Sequence, residues 1–145
     1  MSLSDPSKKM SKSDETNKGC IYLLDDLKAA RKKIMSAVTD SIGIIQLDKE
    51  NQPGLYNLIE IGASLSGRSM EEIANEFKGQ GYGNLKKYIA DVVCDELERI
   101  QTRYHEIIES HEIEKILSEG AIKASLLADK KLDEVKEKIG LQIIY

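Results

Sequence analysis

The sequence predicts an all-α protein, a helical bundle preceded by an extended loop, and three observations carry that expectation. Apolar residues recur at three- and four-residue spacing in several windows, the period of a helix with one covered face. Glycine-bearing breaks such as Pro53-Gly54, Gly67 and Gly79–Gly83 fall between those windows, where turns joining helices need them. Aromatics make up only 5% of the 145 residues and Trp is absent, so the core is built from Leu, Ile, Val and Ala.

Residues 1–20 read as loop, with Asp5-Pro6, Ser/Lys repeats and Gly19 showing neither helical nor strand period. Cys20–Leu24 is a short apolar run of strand length. Asp25 is placed to cap a first helix, and Leu27, Ala30, Ile34 and Ala37/Val38 form its stripe. Arg31, Lys32 and Lys33 fall in its C-terminal half, where cations suit the helix dipole. Contact with RNA phosphates is the alternative use of the same three residues.

Thr39–Pro53 is a connector containing Gly43 and Asn51. Pro53-Gly54 turns into a helix over Leu55–Leu65, with Leu55, Leu58, Ile59 and Gly62 on one face and Gly67 closing it. Ser69 and Glu72 have the spacing of a capping box, which starts a helix running to about Phe77. Gly79-Gln80-Gly81-Tyr82-Gly83 reads as a turn, because it follows a helix and lacks the Gly-Lys-Ser/Thr ending of a phosphate loop. Asn84 is expected to cap a long helix to about Ser110, striped by Leu85, Tyr88/Ile89, Val92/Val93, Leu97, Ile100, Tyr104 and Ile107/Ile108. A last helix, from Glu112 to about Ile139, is expected to turn Ile113, Ile116/Leu117, Ala121, Ala124, Leu127 and Leu132 inward. Gly140 ends it, and Leu141–Tyr145 is an apolar tail expected to pack back.

Composition narrows the function classes. No run of about 18 apolar residues occurs, so no membrane helix is expected, and the polar start has no signal-peptide core. Cys20 and Cys94 belong to no metal-binding pattern, and His105 and His111 are six apart, so no metal site is expected. The net charge of −4 argues against a generally basic nucleic-acid binder, but it is uneven: residues 1–38 hold eight Lys/Arg against five Asp/Glu. Nothing in the helices offers paired catalytic carboxylates or a nucleophile beside a base.

The chemistry-bearing stretch is Lys9-Met10-Ser11-Lys12-Ser13, inside SLSDPSKKMSKSD (residues 2–14). A polar segment with two ammonium groups and two hydroxyls is either a solvated tail or a loop that closes over an anion of several charges. These five residues match letter for letter the KMSKS signature of class I aminoacyl-tRNA synthetases, and the flanking Asp5-Pro6 and Asp14 match it too. The chain resembles the bacterial tryptophanyl-tRNA synthetase family further along: IYLLDD at 21–26, AVTDS at 37–41, QPGLYNLIEI at 52–61, GYG at 81–83 and EGAIKA at 119–124.

The resemblance implies an ATP-dependent ligase that activates tryptophan and charges its tRNA, with Mg2+ accompanying ATP. It implies ATP phosphates held by Lys9, Met10, Ser11, Lys12 and Ser13, with Lys9 and Lys12 carrying the catalytic charge. It further implies a segment 1–20 at the edge of a catalytic Rossmann domain and an anticodon-reading helical domain over 21–145. Arg31, Lys32 and Lys33 would contact tRNA(Trp), in a cytoplasmic homodimer with no DNA or membrane partner. The HIGH-type motif and the nucleotide fold that precede the loop in such enzymes are not recognisable here. The chain therefore reads as the C-terminal portion, inactive alone; the alternative is a free-standing helical module that binds tRNA or protein without chemistry.

Overall fold

The computed structural model describes residues 1–13 and 17–141, so Asp14 and the tail 142–145 lie outside the described residues. Among the described residues five helices follow one another: α1 (Leu27–Met35), α2 (Pro53–Ser66), α3 (Met70–Glu76), α4 (Tyr82–Glu109) and α5 (Glu112–Lys138). No strand occurs among the described residues. The chain divides into two compact units, Met1–Thr102 and Arg103–Tyr145, with the division inside α4.

Caps mark several of the helix ends. Asp26, not Asp25, caps α1, its carboxylate accepting the Lys28 and Ala29 N–H groups. Asp25 is occupied instead: it accepts the Tyr22 N–H at 3.0 Å and the Lys33 ammonium at 2.7 Å. That turn replaces the strand expected at Cys20–Leu24, and Leu23 and Leu24 are exposed. Pro53 opens α2, where a missing N–H costs nothing, and Gly67 ends it at φ 70°, a left-handed conformation that glycine adopts without strain. Ser69 and Glu72 form the capping box of α3 in both directions. Asn84 does not cap α4; the helix starts two residues earlier, and the Asn84 side-chain amide donates to the Gln80 carbonyl at 3.0 Å.

The first unit holds the core. Ile34 of α1, Leu55, Leu58 and Ile59 of α2, Ile73 of α3 and Leu85 and Ile89 of α4 are fully buried. Each contributes roughly 1.5–3 kcal/mol by leaving water. Backbones approach closely where a side chain would not fit: a Cβ on Gly54 would sit 2.1 Å from the Val38 carbonyl oxygen. Gly62 lies against Ile89 and Ile73, which brings α2, α3 and α4 together. Polar ties join α1 and the residues just after it to α4: Arg31 pairs with Asp91, and the Lys86 ammonium donates to the Ala37 carbonyl at 2.7 Å.

The second unit differs. No residue of α5 is buried. The stripe expected to turn inward stays in water, with Leu117 at 66% and Leu127 at 74% exposure. Leu141, the start of the tail expected to pack back, is exposed as well. The apolar period is present, but nothing among the described residues covers that face.

Candidate functional site

The loop before α1 rests on an anchored base. Leu3 is buried in the core; its N–H donates to the Gly19 carbonyl (3.0 Å) and its carbonyl accepts the Val38 N–H (2.8 Å). The Ser2 N–H donates to the Lys8 carbonyl at 2.8 Å, closing a tight turn around Asp5-Pro6-Ser7. Asp5 holds that turn: one carboxylate oxygen accepts the Ser7 N–H (3.2 Å) and hydroxyl (2.6 Å), and the other pairs with the Lys8 ammonium at 3.0 Å. The Ser7 hydroxyl and then Lys8 hold the Asp5 carboxyl below its usual pKa.

Beyond the turn, side chains alternate between two surroundings. Met10 is half-buried and packs on the core. Lys9, Ser11 and Ser13 instead line a cavity of about 280 Å³, together with Ser2, Ser4, Asp5 and Lys8. Met10 turns to the core between Lys9 and Ser11, which both line the cavity. Lys12 is exposed and outside that lining; a turn begins at Lys12 and carries it away. Of the five residues singled out, three are brought together, one anchors the loop and one stands free of the cavity. Two ammonium groups and four serine hydroxyls against one carboxylate form a lining suited to an anion of several charges.

Arg31, Lys32 and Lys33 do not form one patch. Arg31 is committed to Asp91. Lys33 is held by Asp25 and by the Cys20 carbonyl at 2.9 Å, above the ring of Tyr22. Lys32 is exposed and borders, with Lys33, a second cavity of about 630 Å³ that includes Leu3, Ser36 and Val38.

Sequence reasoning missed a polar knot behind the connector. The Gln52 side-chain amide donates to the Ile44 carbonyl (2.8 Å), the Tyr82 hydroxyl (2.8 Å) and Asp40 (3.2 Å). The Tyr82 hydroxyl donates to Asp40 at 2.6 Å. Burial pushes the Asp40 carboxyl up, but the hydrogen bonds from Tyr82, the Ile42 N–H and Gln52 outweigh it and hold its pKa low. Burial, then the bond to Asp40, raises the Tyr82 hydroxyl. The other Asp40 oxygen is buried without a protein partner. The sequence signal was a polar residue beside each turn former, Gln52 before Pro53 and Tyr82 between Gly81 and Gly83.

Among the described residues no three His, Cys, Asp or Glu side chains are grouped to hold a metal ion. No helix there is long and apolar enough to cross a membrane.

An all-helical protein whose N-terminal lysine–serine loop opens onto an anion-sized cavity is thus the class that fold and site define. Residues 1–98 match the family model for class I tRNA synthetases (W and Y), and the chain belongs to that family. The match runs from the loop through α3 and into α4, so family sequence extends far beyond residue 20. Because it falls on the N-terminal part of this chain, it lends no support to the expectation that the chain lacks the catalytic motif of the family.

Relatives agree on the same subgroup. The tryptophan–tRNA ligase of Bacillus subtilis is 50% identical over 97% of this chain and 43% of its own length. That of Enterococcus faecalis is 48% identical over 97% of this chain and 42% of its own. The crystal structure of tryptophanyl-tRNA synthetase from Mycoplasma pneumoniae superposes with a TM-score of 0.70 at 29% identity, covering 99% of this chain and 45% of that one. The chain spans less than half the length of the relatives it matches.

Proposed function

We propose that this chain is the part, from the signature loop onward, of a tryptophan–tRNA ligase that activates tryptophan with ATP and charges tRNA(Trp). In this reading the tryptophan carboxylate attacks the α-phosphorus of ATP and pyrophosphate leaves. The aminoacyl group then passes to the terminal ribose of the tRNA. Charge gathers on the leaving pyrophosphate as the bond breaks, so ammonium groups aimed at it bind the transition state more tightly than the ground state.

The observation that carries the reading is the shared lining: Lys9, Ser11 and Ser13 face one cavity while Met10 fixes the loop to the core. Lys12, exposed at the following turn, completes the set when the loop closes on substrate, as mobile active-site loops do. Mg2+ enters this reading with ATP; the described residues group no three ligands for it, so no step is assigned to it.

The helices after residue 20 would read the anticodon, and Arg31, Lys32 and Lys33 would meet tRNA phosphates. Lys32 is the foremost of the three, since Arg31 and Lys33 already serve carboxylates. The working enzyme is a cytoplasmic homodimer in this reading, and these residues alone do not catalyse.

ATP–pyrophosphate exchange with tryptophan tests it in the ligase that carries this chain. Lys12→Ala lowers kcat by about 10²-fold or more, the scale of one lost transition-state contact of about 2–4 kcal/mol. An unchanged rate in both Lys9→Ala and Lys12→Ala would remove the loop from the chemistry.

A further inference from the structure

Lys8 is exposed, lies outside the five-residue signature, and yet its side chain shares the cavity with Lys9, Ser11 and Ser13. Among the described residues its ammonium pairs with Asp5, its neighbour three residues back, at 3.0 Å, the two side chains being 77% and 39% exposed. Such a pair is screened by water and readily exchanged. The carboxylate is not free to leave with it: Asp5 stays tied to the Ser7 N–H and hydroxyl, and the Lys8 carbonyl is pinned by the Ser2 N–H. The backbone under Lys8 is therefore fixed, and only its long side chain can move.

We propose that Lys8 is a third phosphate-binding residue of this loop, with Asp5 as its resting counterion. The Asp5 carboxylate stands where an anionic oxygen of the ligand would go. When a polyphosphate enters, the Lys8 ammonium transfers from Asp5 to the phosphate oxygens, which carry more charge and offer more acceptors. The ligand is the polyphosphate moiety of a nucleotide or of its leaving group, so the inference rests on the proposed role of the loop and deepens it.

Titration of this chain with inorganic tripolyphosphate, followed by isothermal titration calorimetry, separates the two. Lys8→Ala weakens binding by about tenfold, the scale of one lost charge-assisted contact, and Lys12→Ala weakens it as well. Asp5→Asn keeps an acceptor for Ser7 and removes the competing charge, so binding tightens. Circular dichroism of each variant stays unchanged, because Lys8 and Asp5 contribute nothing to the core. Weakening by Lys12→Ala with no effect of Lys8→Ala overturns the role of Lys8 and leaves the loop reading standing. Indifference to both substitutions, or no binding at all, overturns both. Displacement of tripolyphosphate by a short 5′-hydroxyl RNA at equal concentration would assign the cavity to a nucleic-acid backbone and overturn the proposal.

Discussion

Helix α2 and helix α5 carry the same kind of apolar stripe and meet opposite fates. In α2, Leu55, Leu58 and Ile59 are completely buried against α3, α4 and the chain around Val38. In α5, Leu117 and Leu127 keep well over half of their surface in water and Leu132 about half. A three–four spacing decides which side chains share a face; it says nothing about whether a second surface arrives to cover it. Helix α5 is held by other means: acidic Glu112 and Glu114 in its first turn, basic Lys136 and Lys138 in its last, and exposed pairs such as Lys131 with Glu134. Each such pair contributes about 0–1 kcal/mol, against roughly 1 kcal/mol lost at Gly120 relative to alanine.

The comparison can be broken most sharply in α2. Ile59→Ala should cost about 2–5 kcal/mol in urea unfolding, from lost burial plus the cavity left behind; a cost under 1 kcal/mol would mean the first unit is not tightly packed. Gly54→Ala adds a methyl against the Val38 carbonyl, where backbone cannot yield cheaply. The expected loss is about 1–3 kcal/mol by thermal unfolding, although alanine favours a helix, and a stabilised variant would refute the close approach.

The polar knot gives a subtler test in the same unit. Asp40 has its folded pKa below its unfolded value, so its contribution is complete above about pH 4 and is lost as pH falls through the folded value. Asp40→Asn should therefore lower stability at pH 7 by about 1–2 kcal/mol. The gap between the two proteins should narrow as the pH is taken below 4. Parallel acid curves would remove Asp40 from the account. At the bottom of the scale, Leu127→Ala should change urea stability by no more than about 0.5 kcal/mol. A larger loss would show that the α5 stripe is covered after all.

Several details of the chain were legible from residue types alone, because their causes lie within a few residues. The Ser69–Glu72 box and the left-handed Gly67 each follow from local backbone needs, whereas Pro53-Gly54, expected as a turn ahead of a helix from Leu55, forms the first turn of α2 itself. The same local logic erred where two neighbours compete: Asp25 and Asp26 are both able caps, and only the arrival of Lys33 and the Tyr22 N–H claims the first. The glycines around Tyr82 were read rightly as a break after α3, but they conceal a helix start two residues before Asn84.

The site divides the same way. The lysines and serines of the loop stood out by composition, yet their sorting into cavity wall, core anchor and free cation depends on Met10 finding the core. Sequence by itself determined the helical periods, the capping box of α3, the glycine end of α2 and the chemical character of the loop, since these depend on bonds and side chains a turn or less apart. The tertiary structure alone decided which stripe is covered, that Arg31 is spent on Asp91, and that Asp40, Gln52 and Tyr82 meet. Those contacts join residues twelve to sixty positions apart, and a pairing at that distance is chosen by how surfaces fit once the helices have packed.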